Sequence, residues 1–274
     1  VIFEYLFIIL FGQIKNIMNT SNYQKGISPI VGSERSLITS LYAEECELAI
    51  KKWEEMLSSF SEIKKSISFQ SLFHIEGYQF KWLQKHNRNS EKFCVEMGVF
   101  AQNIVMILVP LDEFGNKIEL DSYECSLLST TNEELVLREK KIQTTVKSYT
   151  FTKDNKKLVS EEKYGEEISK PRIDLETAAE AIELWRNEGE NWFNTECVKY
   201  KGKRIFRKFY VPFYDLNIES VDKVTCSFAL KYSGALEKIL PTLIFVMSKK
   251  EKGFPDDWGD LLDWSQPCPP ICQI

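Results

Sequence analysis

Histidine occurs only twice in the 274 residues, at His74 and His86, and several signatures of common enzyme chemistry are missing altogether. There is no G-x-x-x-x-G-K-[ST], no G-x-G-x-x-G, no G-x-S-x-G and no H-E-x-x-H. The phosphate loop, the dinucleotide turn, the hydrolase elbow and the zincin helix therefore have no support in the chain. A strong basic balance is also lacking. The formal net charge of −5 gives the chain as a whole no electrostatic reason to seek nucleic acid or an anionic membrane. The longest N-terminal apolar stretch, Val1 to Phe11, is too short to span a bilayer and carries Glu4. It has neither a basic segment before it nor a small-residue cleavage site after it.

What is present suits a folded α+β protein. Hydrophobic residues make up 43% and aromatics 13%, enough to fill cores without metal or disulfide staples at this length. Seven cysteines, an odd number, sit at Cys46, Cys94, Cys125, Cys197, Cys226, Cys268 and Cys272, mostly inside apolar runs. Such thiols pack as small hydrophobes, which predicts a reducing, cytoplasmic setting. Met18 opens the polar MNTSNYQKG and is the expected native start, leaving residues 1–17 as an apolar extension that would matter only as an anchor through residues 1–14.

The chain is organised around FCVEMGVFAQNIVMILVP. Phe93, Val95, Met97 and Val99 alternate with Cys94, Glu96, Gly98 and Phe100, the period of a strand. Ile104 to Val109 is apolar throughout and predicts a central strand, stopped by Pro110. Apolar residues at steps of three and four predict a helix over residues 36–60, a second after Asp174, and a short one over 77–86. The charged stretch 130–172 predicts an exposed hairpin or connector turning at Asp154-Asn155.

Two segments look alike. Trp53 and Trp185 lie 132 residues apart, as do Cys94 and Cys226, and the turn glycines Gly115 and Gly253 lie 138 apart. A six-residue insertion within Tyr232 to Pro241 accounts for the change. The expectation is an internal duplication: two lobes, 18–129 and 173–274, each a long helix on a mainly antiparallel sheet, the second ending in a Pro/Cys tail.

Candidate chemistry is sparse. A thiol-dependent or hydrolase-like enzyme working between the lobes would draw on Cys94, Cys226, His74 or Asp215. Lys199, Lys201, Lys203, Arg204, Arg207 and Lys208 alternate with aromatics, the composition of a single-strand nucleic-acid platform, although a strand edge with solvated lysines reads the same way. Asp256, Asp257, Asp260 and Asp263 gather carboxylates without the alternating loop of an EF-hand, so an acidic turn is the plainer reading and no metal or other cofactor is expected. Cys268 and Cys272 flank Pro269-Pro270-Ile271; they could be packing residues, a disulfide, a redox pair or half of a metal site. No acid, base and nucleophile converge, which favours a non-catalytic binding or protein-interaction module.

The Cys-Pro-Pro-Ile-Cys ending, with the AI-x-x-W helix and short strands upstream, resembles bacterial hypothetical proteins of the Bacteroidetes type that finish in a Cys-Pro-Pro-x-Cys tail. The resemblance implies a bacterial source. It carries over no site residue.

Overall fold

The computed structural model describes residues 38–87, 89–130, 135–140, 145–152, 157–163, 173, 175–213, 221–248, 261–262 and 265–270. Its organising element is the hairpin of β3 (Lys92–Phe100) and β4 (Asn103–Val109). The period-2 pattern decides its two faces. Phe93, Val95 and Met97 point into one core while Cys94 points into another, and β4 is buried on both sides, as its unbroken apolar run requires.

Around it an antiparallel sheet has the order β1-β5-β4-β3-β9-β13, with β1 at Ser40–Tyr42, β5 at Ser122–Leu127, β9 at Lys208–Pro212 and β13 at Gln266–Cys268. A second antiparallel sheet runs β12-β11-β10-β2, with β2 at Phe73–Glu76, β10 at Lys223–Ser233, β11 at Lys238–Ser248 and β12 at Leu261–Leu262. Phe93, Met106, Leu108 and Phe209 of the first sheet share one core with Phe73, Val224, Cys226, Phe228 and Phe245 of the second. Each fully buried side chain of this size contributes about 1.5–3 kcal/mol. The edges are also joined. The Ser126 hydroxyl on β5 donates to the His74 carbonyl at 2.7 Å and accepts from the His74 N–H at 3.1 Å, tying β5 to β2.

Helices close the outer faces. Helix α1 (Ala43–Met56) lays Cys46 and Ala49 over Cys94, Val105 and Ile107 of the first sheet. Gly98 permits that approach, because a Cβ there would stand 2.9 Å from the Ala49 Cβ. The helix expected over 36–60 is shorter than its pattern. Ser40–Tyr42 pairs with β5, the Tyr42 N–H donates to the Glu45 carboxylate at 2.9 Å, and a break at Leu57–Ser59 separates α1 from α2 (Phe60–Ser66). The short helix expected over 77–86 is α3 (Gly77–His86). Helix α4 (Leu175–Tyr200) packs its first half, Ala178, Ala179 and Ile182, beside Ile244 and Val246 of the second sheet. From Trp185 onward it enters the intersheet core, where Trp185 stacks on Phe228 at 4.8 Å.

The stretch 130–172, expected as an exposed hairpin or connector turning at Asp154-Asn155, does form antiparallel strands on either side of residues 153–156, and it is not merely exposed. It supplies β6 (Leu135–Lys140), β7 (Thr145–Phe151) and β8 (Lys157–Lys163), an antiparallel sheet whose Leu135, Leu137, Tyr149 and Phe151 are buried with α4. Nor does that stretch divide the chain into separate sheets. β9 and β13, from beyond it, complete the first sheet, and β2, from before it, completes the second. Residues Leu37–Ile274 form one unit, and Val1–Ser36, a second unit, lies outside the described residues. Among the described residues no helix is long and apolar enough to cross a membrane.

Candidate functional site

The expected catalytic residues do not meet. Cys94 lies under α1, and Cys226 lies between the sheets, so the two thiols occupy different cores. His74 is one residue from Phe73, the cross-strand partner of Cys226. Strand alternation turns the His74 side chain to the opposite face of that sheet, away from the thiol. Asp215 lies outside the described residues.

Burial also removes the nucleophile. The thiols of Cys46 and Cys125 are pushed up to about 12 and that of Cys197 to about 11, in each case first of all by burial. Cys94 is raised further by burial and then by Glu96, and Cys226 is raised well above its ordinary value by burial alone. All five are free and buried. At neutral pH they are thiols, and a thiol is a poor nucleophile.

The basic stretch is put to structural use. Phe206 and Phe209 sit in the intersheet core, with the Phe206 carbonyl accepting from the Trp53 indole at 2.9 Å, so neither ring is available for base stacking. Arg204 pairs with Glu196 at 3.1 Å and lies 3.8 Å over the Tyr200 ring. Arg207 pairs with Glu54 at 3.5 Å, and Lys208, half-buried, sits 5.2 Å over Tyr210. Of the six, only Lys199, Lys201 and Lys203 are exposed, and Lys199 lies 5.2 Å over the Tyr200 ring. The aromatic platform is corrected to a connection anchored in the core.

Asp256, Asp257, Asp260 and Asp263 lie outside the described residues, and no cluster of metal-ligating side chains occurs among those described. Cys268 is disulfide-bonded on β13; Cys272 lies outside the described residues.

Helix α4 carries the two charges that the search for motifs passes over. Arg186 is 9% exposed and Glu196 4% exposed, both on the stripe that also holds Ile182, Gly189 and Phe193. A charged residue at the spacing of an apolar stripe is the signal that finds them. Their surroundings differ. Glu196 has Arg204 against one oxygen and Lys238 and Lys199 nearby, although burial still raises its carboxyl above the ordinary range. Among the described residues Arg186 has one hydrogen bond, from Nη1 to the Thr152 carbonyl at 3.2 Å, and the Phe151 ring lies 4.9 Å from its guanidinium. Among the described residues no carboxylate pairs with it, and burial lowers it to about 10.

Among the described residues an exposed apolar group lies at the tip of the β10–β11 hairpin. Tyr232 is 65% exposed, and Leu236 and Ile239 are each 41% exposed. Tyr232 and Ile239 are direct cross-strand partners, on the strand face that two residues earlier presents Leu230 to the core. The turn between them is open, with nothing within 4 Å of a Cβ placed on Gly234.

Comparison of the chain with protein-family models, with curated proteins and with solved structures finds no match.

Proposed function

We propose that the chain is a non-catalytic protein-binding module that presents the β10–β11 tip. The observation that carries this reading is the exposed Tyr232, Leu236 and Ile239 on one two-stranded ribbon, an apolar set that contributes nothing to the core from which the ribbon emerges. An aromatic and two aliphatic side chains on a rigid hairpin are suited to anchor a partner's pocket. The buried, protonated thiols support the same reading, because Cys46, Cys94, Cys125, Cys197 and Cys226 offer no accessible thiol nucleophile.

An internal duplication belongs to this proposal. Each helix bearing a core tryptophan, Trp53 in α1 and Trp185 in α4, precedes a long antiparallel hairpin, β3–β4 or β10–β11. The strand between helix and hairpin is exchanged reciprocally. β2 pairs with β10, and β9 pairs with β3. Phe73 and Ile75 then correspond to Phe209 and Val211, all four in the intersheet core. A duplicated unit that lends one strand to its twin ties the two halves into one body, which suits a scaffold for a displayed tip.

The test is a photo-crosslinking residue placed at position 232 in the native host, with position 85, an exposed lysine on α3, as control. A discrete adduct from 232, absent from 85 and abolished by Leu236→Ser with Ile239→Ser, is expected. Identical adduct patterns from both positions, or none from 232, would overturn the reading. The Tyr232→Ser/Ile239→Ser variant should keep its unfolding free energy within about 0.5 kcal/mol per site, since exposed side chains outside the core contribute little to it.

A further inference from the structure

We infer that Arg186, at the junction of α4 with the β6-β7-β8 sheet, is the centre of a binding site for a small oxyanion, the carboxylate or phosphate group of a ligand. The site is distinct from the hairpin tip and does not depend on it.

The argument begins with the cost of the side chain. A guanidinium taken out of water is tolerated when a carboxylate pairs with it or when its donors find acceptors. Glu196 shows how this helix handles a buried charge, since Arg204 stands 3.1 Å away. Arg186 lacks that compensation. It has five N–H donors, and the Thr152 carbonyl is the one hydrogen-bond acceptor they have among the described residues. None of its nitrogens is both fully buried and unbonded among the described residues, so the unused donors keep some exposed surface. The charge is held by packing and left available at its head.

The surroundings favour an anion. Tyr149 and Phe151 stand two residues apart on β7, on one strand face, and each ring has a cation over it: Lys157 at 4.8 Å from Tyr149 and Arg186 at 4.9 Å from Phe151. Lys157 is the cross-strand partner of Phe151, which brings the two cations to the same end of the sheet. Among the described residues the carboxylate paired there is Glu183, 3.4 Å from Lys157. Among those residues two cations stand against that one carboxylate. A guanidinium held over the Phe151 ring and tied to the Thr152 carbonyl carries the fork of donors that receives two oxygens of a carboxylate or phosphate.

The experiment uses the full chain and two probes, inorganic phosphate and acetate, each added to about 10 mM against chloride at matched ionic strength, with thermal unfolding and calorimetric titration as readouts. Stabilisation by one or both probes beyond chloride is expected, and the probe that binds more tightly tells a phosphate ligand from a carboxylate. Arg186→Met, which keeps the packing on Phe151 without the charge, should lose that stabilisation while melting no lower than the wild type in chloride alone. Arg186→Lys keeps the charge but not the fork, and should bind at least about tenfold more weakly. It decides the matter if the methionine variant fails to fold. No stabilisation of the wild type beyond chloride, or equal stabilisation in the wild type and either variant, would overturn the assignment.

Discussion

Raising the pH from 7 to 10 is expected to destabilise the fold by several kcal/mol, well before general alkaline denaturation. Unfolded, the thiols ionise near their ordinary value of 9.0; folded, Cys46 and Cys125 do so near about 12, Cys197 near about 11, and Cys94 and Cys226 higher still. Between those limits the unfolded chain binds fewer protons than the folded one, so stability is complete below pH 9 and falls as pH rises. Each thiol contributes a slope of about 1.4 kcal/mol per pH unit in that window. Against the lowering effect of burial, Lys117 is also raised, by Glu96, and Lys208, by its hydrogen bond with Tyr210, so their contribution is lost in the same direction at higher pH. Arg186, lowered to about 10, acts in the opposite sense only above that pH. Guanidinium unfolding at pH 7, 9, 9.5 and 10 checks the expectation. Cys226→Ala should reduce the slope by about one thiol's share, and a flat profile to pH 10 would show that the thiols are already exposed to water.

Arg204→Met is expected to cost roughly 3 kcal/mol at pH 7. The Glu196 carboxylate is 4% exposed, and its second oxygen already has no hydrogen-bond partner, so Arg204 is its main compensation. Removing that cation leaves an uncompensated buried charge, an effect of about 3–5 kcal/mol, and the low end applies because the Arg204 side chain is itself 34% exposed. Acid should relieve the loss, since burial already raises the Glu196 carboxyl and protonation abolishes the stranded charge. Glu196→Gln together with Arg204→Met should therefore be much milder than Arg204→Met alone. Chemical denaturation of the two single variants and the double variant measures the coupling, and simple additivity would refute the pairing as the source of the effect.

Local pattern reaches far into this fold and then stops at partner choice. The alternation from Phe93 to Phe100 and the uninterrupted Ile104 to Val109 run foretell β3 and β4, because side-chain period and burial on both faces are written in consecutive residues. The stripe of α4 is equally legible. That β9 would pair with β3, and β2 with β10, is not, because strands of four or five residues carry little information about which hairpin they join. Register shows the same limit. The 132-residue spacing sets Cys94 against Cys226, yet Cys94 faces α1 and Cys226 faces the opposite sheet. Matching by face instead aligns Val95 with Cys226, one residue away, since a one-residue slip exchanges the faces of a strand.

The candidate site follows the same division. Arg186 lies four residues after Ile182 and three before Gly189, so helical spacing alone puts it on the buried stripe. What it meets there, the Phe151 ring and the Thr152 carbonyl, comes from a sheet whose charged sequence reads as an exposed connector. The basic run after Lys199 fails in the reverse sense. Its composition suggests a platform, while its rings are the anchors that carry the chain back into the core.

Recognition without a thiol nucleophile is tested most directly by pulse alkylation of the native chain with iodoacetamide at neutral pH, each cysteine read by peptide mass spectrometry. Cys46, Cys94, Cys125, Cys197 and Cys226 should remain unmodified while the protein is folded and react completely once it is denatured. Rapid modification of Cys94 or Cys226 in the folded protein would contradict the account and return the thiol enzyme to first place.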